Sequence, residues 1–209
     1  MASEVTICNR ALSFLGHTEI TALDATDRTS RLCRLHYTES RDALLAMHQW
    51  NFAVRRVALA AIVNVPVFEY STAFAIPEDC LKIIRTSIDS EETRYPYRRE
   101  AVLDTTVSPN QLRQCIVTDA TELSLEYIAR VTDPNAMSVL FREALSAKLA
   151  AEMCVALTDS ASRAAQLAQT AQDKVRLAMS TDAQEGTPRE VYTNDWLDSR
   201  EGGSWYGTD

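Results

Sequence analysis

Apolar residues recur along the start of the chain at helical spacing. Val5, Cys8, Leu12 and Leu15 fall on one stripe, as in an amphipathic helix with one buried face. Ser3 is a natural N-cap, Glu4 suits the first turn, and Gly16 stands where a left-handed terminating residue belongs, so a helix is predicted over 3–15. After a linker containing Ile20, Leu23 and Asp24, a second stripe of Cys33, Tyr37, Leu44 and Met47 predicts a longer helix over 27–49, with Leu32, Leu35 and His48 beside the stripe. Arg28, Arg31, Arg34 and Arg41 are spread around its other faces with Glu39 and Asp42 among them, which reads as a solvated or subunit-contacting surface.

From Trp50 the period shortens. Residues 51–63 are rich in valine, alanine and isoleucine, and Phe68, Tyr70, Thr72, Phe74 and Ile76 alternate with polar neighbours up to Pro77. Cys80–Ile88, a weak segment containing Tyr95, Tyr97, Val102 and Leu103, the pair Ile116-Val117, and the alternation Leu123, Leu125, Tyr127, Ala129 complete the set. Turns are expected at 89–91 and 108–110. Residues 52–131 are therefore expected to form an antiparallel β insertion. Helical spacing returns after Asp133-Pro134, an N-cap followed by proline, with Met137, Phe141, Ala144, Leu145, Leu149, Met153 and Ala156 on one face of a helix over 134–157. A further helix over 160–183 carries Ala161, Ala164, Ala165, Ala168, Ala171, Val175 and Ala178, an alanine-rich face that permits close pairing as a hairpin. The expected fold is mainly α with an inserted antiparallel β region (α+β). It is a bundle of about four helices forming a body over 1–184, plus an extended C-terminal tail over 185–209.

Composition sharpens this picture by exclusion. The 209 residues suit one domain. Five glycines are present, and none lies between Gly16 and Gly186, which removes the glycine-rich loops that cradle phosphates. The net charge of −8 is uneven. Residues 181–209 hold seven acids against Arg189 and Arg200, so neither part has the basic excess with which proteins grip nucleic acid. No apolar run reaches membrane-spanning length, and the Met-Ala-Ser-Glu-Val start lacks the features of a secretion signal. Cys8, Cys33, Cys80, Cys115 and Cys154 are scattered without a C-x-x-C pair, as reduced core residues would be.

Signals for chemistry are sparse. His36 and His48 stand twelve residues apart on one expected helix, ~18 Å, too far to share a metal. No metalloprotease or nucleophile-elbow motif occurs, and Glu78-Asp79 and Glu91-Glu92 sit in expected turns as solvated charge. No cofactor or metal is expected. Arg55 and Arg56 point to opposite faces of a strand and make no patch on their own; contact with DNA or a neighbouring subunit is one expectation for them, and one ion-paired and one solvated arginine is at least as good a one. The tail is different in kind. It joins acids and late glycines to Tyr192, Trp196, Trp205 and Tyr206, residue types favoured as anchors in partner pockets.

Several segments together resemble the head-to-tail adaptor proteins of short-tailed bacteriophages, the family of tail tubular protein A and the tail accessory factors. They are Ile7-Cys8-Asn9-Arg10-Ala11-Leu12-Ser13-Phe14-Leu15-Gly16 with Ile20, Leu23 and Asp24, then Arg41-Asp42-Ala43-Leu44-Leu45, Trp50-Asn51-Phe52-Ala53, Arg55-Arg56, Tyr70–Phe74, and Ile76-Pro77-Glu78-Asp79-Cys80-Leu81. The resemblance is strongest over 5–85. It implies a virion structural protein rather than an enzyme, made in the host cytoplasm and ending at the head–tail junction. Its partners would be the portal protein, a nozzle protein like tail tubular protein B, and further copies of itself in a dodecameric ring. DNA would pass through the ring without specific binding, and no membrane would be involved. Tyr192, Trp196, Trp205 and Tyr206 would then be portal anchors, and Arg55, Arg56 and Trp50 subunit-interface or structural residues. The competing expectations are a virion-associated peptidoglycan or polysaccharide hydrolase, and a cytosolic helical regulator that binds a protein through its tail.

Overall fold

Ser3 and Gly16 bracket the first helix as their chemistry requires. In the computed structural model, which describes residues 2–62, 68–87, 96–104 and 111–186, α1 spans Glu4–Leu15. The Ser3 hydroxyl accepts the Thr6 N–H, and Gly16 closes the helix at φ 66°. Helix α2 (Arg28–Met47) starts on the Asp27 carboxylate, which accepts the Ser30 N–H, and ends two residues before 49 because His48 is extended. Helix α3 (Val139–Thr158) is capped by Ser138, not by Asp133. The Asp133 carboxylate instead bonds the backbone of Asn135, two residues on. That bond holds 134–136 in a turn, so the helix begins five residues later than its proline suggested. Helix α4 (Ala161–Gln184) is capped by Ser160, and Asp159 takes the left-handed conformation that ends α3. The short Asp159-Ser160 connection makes α3 and α4 the expected hairpin.

The β region is two sheets. A 3-10 turn at Asn51–Ala53 leads into β1 (Val54–Leu59), followed by β2 (Thr72–Ala75), β3 (Cys80–Ser87), β4 (Tyr97–Asp104), β5 (Gln111–Thr118) and β6 (Leu123–Ala129). One sheet has the order β1-β6-β3 and the other β2-β5-β4, every pair antiparallel. The alternation that begins at Phe68 becomes strand only from Thr72. Glu69 has φ 69°, which turns the chain out of extended conformation, and Phe68 is exposed. A single bridge from Ala61 to Phe74 links the end of β1 to the second sheet. The turns expected at 89–91 and 108–110 lie outside the described residues, as does Tyr95.

Strand β6 is the wall shared by two cores. Leu123, Leu125, Tyr127 and Ala129 pack with Phe74 and Ile116 between the sheets, while Ile128 points the other way into the helical core. This is the period-2 alternation of a strand with one apolar face, and its other face is covered only at the Ile128 end. Helix α3 has a comparable place among the helices, since α1, α2 and α4 all pack on it. Its expected stripe is buried from Met137 to Met153, with Ala156 half-buried, and Ser146, Ala147, Ala150 and Cys154 are buried as well, so α3 is covered on more than one face. None of the five cysteines is joined in a disulfide, and four of them are buried. The Cys33 thiol lies 3.8 Å from the Met153 sulfur. Among the described residues no helix is long and apolar enough to cross a membrane.

Candidate functional site

Hydrogen bonds at the helix ends fix what lies at each end of the bundle. Arg28 at the start of α2 donates to the Ala156 carbonyl near the end of α3, and Arg163 at the start of α4 donates to the Phe14 carbonyl near the end of α1. The opposite end therefore holds the end of α2, the start of α3 and the end of α4, and it is there that the β region attaches. Trp50 anchors this corner. It is fully buried, donates its indole N–H to the Leu44 carbonyl at 3.0 Å, and meets Phe141 and His48 edge to face. Of the two roles expected of Trp50, its surroundings are those of the structural one. Beside it the buried Asp182 of α4 accepts the backbone N–H of Asn51 and lies 3.4 Å from His48 Nε2.

From this corner β1 runs out with its two arginines on opposite faces. Arg55 donates to Asp79 at 2.7 Å, and the Tyr127 hydroxyl donates to the other oxygen of that carboxylate. Burial first, and then the Asp79 charge, push the Tyr127 phenol above its usual range. On the other face Arg56 donates to Glu126 through Nε and a terminal nitrogen, at 3.0 and 2.9 Å, and Arg85 of β3 grips the second Glu126 oxygen. Both arginines are thus ion-paired, where one was expected to be solvated. The reason is register: Arg56 faces Glu126 directly across the ladder, and β6 is too far along the chain for local reading to pair them. Burial raises the Glu126 carboxyl, but hydrogen bonds from Arg85 and Arg56 outweigh it and hold the group below its usual range.

This charged face is concave. A groove of about 470 Å³ is lined by Arg56, Val57, Ala58, Ser87, Ser124 and Glu126. It shares Arg56 and Glu126 with a second hollow of about 590 Å³ that reaches Val54, Asn51 and Gln49. A different groove, about 420 Å³ and mostly apolar, lies over α3 and α4 among Met47, Ala151, Ala168, Ala171, Val175 and Met179.

At the rim of that apolar groove a serine, a histidine and an acid meet. The Ser40 hydroxyl bonds Glu152, which also accepts Lys148 at 2.6 Å and lies 3.7 Å from His36 Nδ1. A nucleophilic triad places the histidine between hydroxyl and carboxylate. Here the hydroxyl is bonded directly to the carboxylate, so the group ties α2 to α3 rather than activating Ser40. Sequence reading missed it because Ser40 and Glu152 are 112 positions apart. Among the described residues no group of three metal-ligating side chains gathers. Tyr192, Trp196, Trp205 and Tyr206 lie outside the described residues, and so do Glu91 and Glu92. No protein-family model matches the chain, and no curated protein sequence matches it.

Proposed function

We propose that this protein is a virion head-to-tail adaptor. It assembles as a ring between the portal and the tail nozzle and lengthens the channel through which DNA leaves the capsid. The observation that carries this reading is where the family-like residues fall. Asn9 holds Ile20 by two bonds, its amide donating to the Ile20 carbonyl at 2.9 Å and its carbonyl accepting the Ile20 N–H at 2.8 Å. Asp42 joins Arg41 to Arg130, Trp50 fills the corner, Asn51 meets Asp182, and Asp79 meets Arg55 and Tyr127. Asn9 thus ties α1 to the loop that follows it, and the other bonds lie where the β region meets the helical bundle.

The surface supports the same reading. Leu35, Met47, Val57, Val155 and Leu177 are exposed, and their apolar area suits contacts with other subunits. A near-neutral body with an acidic arm does not attract phosphate, as a DNA conduit requires. The net charge keeps free subunits apart until a portal offers a template.

The test is sedimentation and electron microscopy of the purified chain with portal rings of the same phage, using the full chain and one lacking 185–209. Ring density beneath the portal, reduced or lost on truncation, is the expected result. Absence of any association overturns the adaptor reading. Unchanged binding after truncation overturns only the role given to Tyr192, Trp196, Trp205 and Tyr206. Stable rings of the purified chain without portal contradict the templating step. Clearing of a peptidoglycan suspension would favour the hydrolase instead.

A further inference from the structure

Met47 is out of place. It stands at helical spacing from the buried Cys33, Tyr37 and Leu44 of α2, yet it is 57% exposed and lies at one end of the apolar groove over α3 and α4. Ala151 lines the α3 side of that groove, and Ala168, Ala171, Val175 and Met179 line the α4 side. The charges at its rim are already matched, Lys148 with Glu152 and Arg176 with Asp173. Charge therefore selects no occupant here. What the groove offers is about 420 Å³ of space between alanines and two methionines. That shape admits flat rings, and flexible methionine side chains close well on them.

We propose that this groove seats the start of the chain's own C-terminal arm in the free subunit, with Tyr192 beside Met47 and Met179 and Trp196 beside Ala171 and Ala168. Position is the first reason. Helix α4 lines the groove up to Met179 and ends at Gln184, so the chain leaves the helix just past the Met47 end of the groove. Reach is the second. Gly186 to Met179 is ~10 Å along the helix axis, and Met179 to Ala168 a further ~16 Å. An extended chain carries Tyr192 up to ~20 Å from Gly186 and Trp196 up to ~33 Å. The arm can therefore reverse direction and still lay both rings in the groove. Spacing is the third. On an extended segment Tyr192 and Trp196 point to the same side, ~13 Å apart, and Met179 and Ala171 are ~12 Å apart along α4. A tether this short gives an effective concentration near the millimolar range, so at micromolar protein the chain's own arm outcompetes that of another copy. The inference concerns the subunit before it meets any partner and is independent of the adaptor reading.

A contact-quenched fluorophore provides the test. Bimane, which tryptophan quenches at close range, is attached to Gln172→Cys at the rim of the groove. The chain is full-length and carries Cys80→Ser and Trp205→Phe, which leaves Trp196 in the arm and the buried Trp50; the other native cysteines are buried. Trp196→Phe should raise bimane emission about twofold, as for a tethered site that is occupied most of the time. Met47→Glu and Ala168→Glu each put a charge into the groove and should do the same, with thermal melts to verify folding. Leu177→Glu, at an exposed position of α4 outside the groove, should leave emission unchanged. Emission indifferent to Trp196→Phe overturns the proposal, whatever the groove variants do. Release by Leu177→Glu as large as by Ala168→Glu also overturns it, because the contact then lies elsewhere. Quenching that disappears on dilution overturns it as well, by assigning the groove to a second copy's arm.

Discussion

Asp182 and Asn51 stand 131 positions apart, and each bonds the other's backbone. The carboxylate accepts the Asn51 N–H at 3.2 and 3.1 Å, and the Asn51 side-chain amide donates to the Asp182 carbonyl at 2.6 Å. The last turn of α4 is thereby fixed to the first residue after the Trp50 corner. Replacing Asp182 with Ala removes the charged acceptor of the part-buried Asn51 N–H, a loss of about 1–3 kcal/mol. Asp182→Asn keeps one acceptor oxygen and should lose less. Urea unfolding of both variants measures the difference, and equal stability of Asp182→Ala and the parent would refute this role.

Trp50 fills the same corner from within. Trp50→Ala should cost about 3–5 kcal/mol through cavity formation, with further loss because the Leu44 carbonyl loses its donor. Trp50→Phe keeps much of the volume and should fall between the two. Denaturant midpoints order the three chains.

Gly16 makes a smaller and more specific prediction. An added Cβ there would meet nothing within 4 Å, yet the backbone sits at φ 66°. Gly16→Ala should therefore destabilise by about 1 kcal/mol through backbone strain alone, and Gly16→Asn by less. A crystal structure of the alanine variant should show unmoved neighbours.

Acid should weaken the fold through carboxylates held below their ordinary range, Glu126 and Glu143 among them. Glu126 is held below its ordinary value of 4.5 by Arg85 and Arg56 in spite of burial. Glu143 is lowered first by the Lys174 hydrogen bond and further by the Arg10 charge. A carboxyl with a lowered folded pKa stabilises above its unfolded value, and that contribution disappears as pH falls through the folded one. Stability should thus be level above about pH 5 and decline below 4.5. Glu143→Gln should flatten the decline, as read from urea midpoints across a pH series.

Much of the fold was legible because its signals are local. Ser3 caps the helix it was expected to cap, and Asp27 and Ser160 do the same for α2 and α4, since a cap acts within three residues. The period-2 pattern of β6 was plain because Leu123, Leu125, Tyr127 and Ala129 face a core while Ser124 and Glu126 face the groove. Local reading failed where two local signals competed. Asp133-Pro134 and Ser138 both offer a start for α3, and the side-chain bond to Asn135 decided for the later one. The 68–76 alternation gave no sign of the left-handed Glu69. The partners of Arg55 and Arg56 were hidden for another reason: Asp79 and Glu126 are 24 and 70 positions away. A charge pair across a sheet leaves no mark on either strand alone.

Strand β6 has a consequence for how the chain unfolds. Its two faces belong to different cores, so the β region is not a module that could be cut out at 52 and 131 to leave a folded bundle. Deleting it would strip Ile128 from the helical core, and melting the bundle would uncover the inner face of a sheet. Helices and strands should therefore be lost in one transition, with far-ultraviolet dichroism and Trp50 fluorescence tracing the same curve.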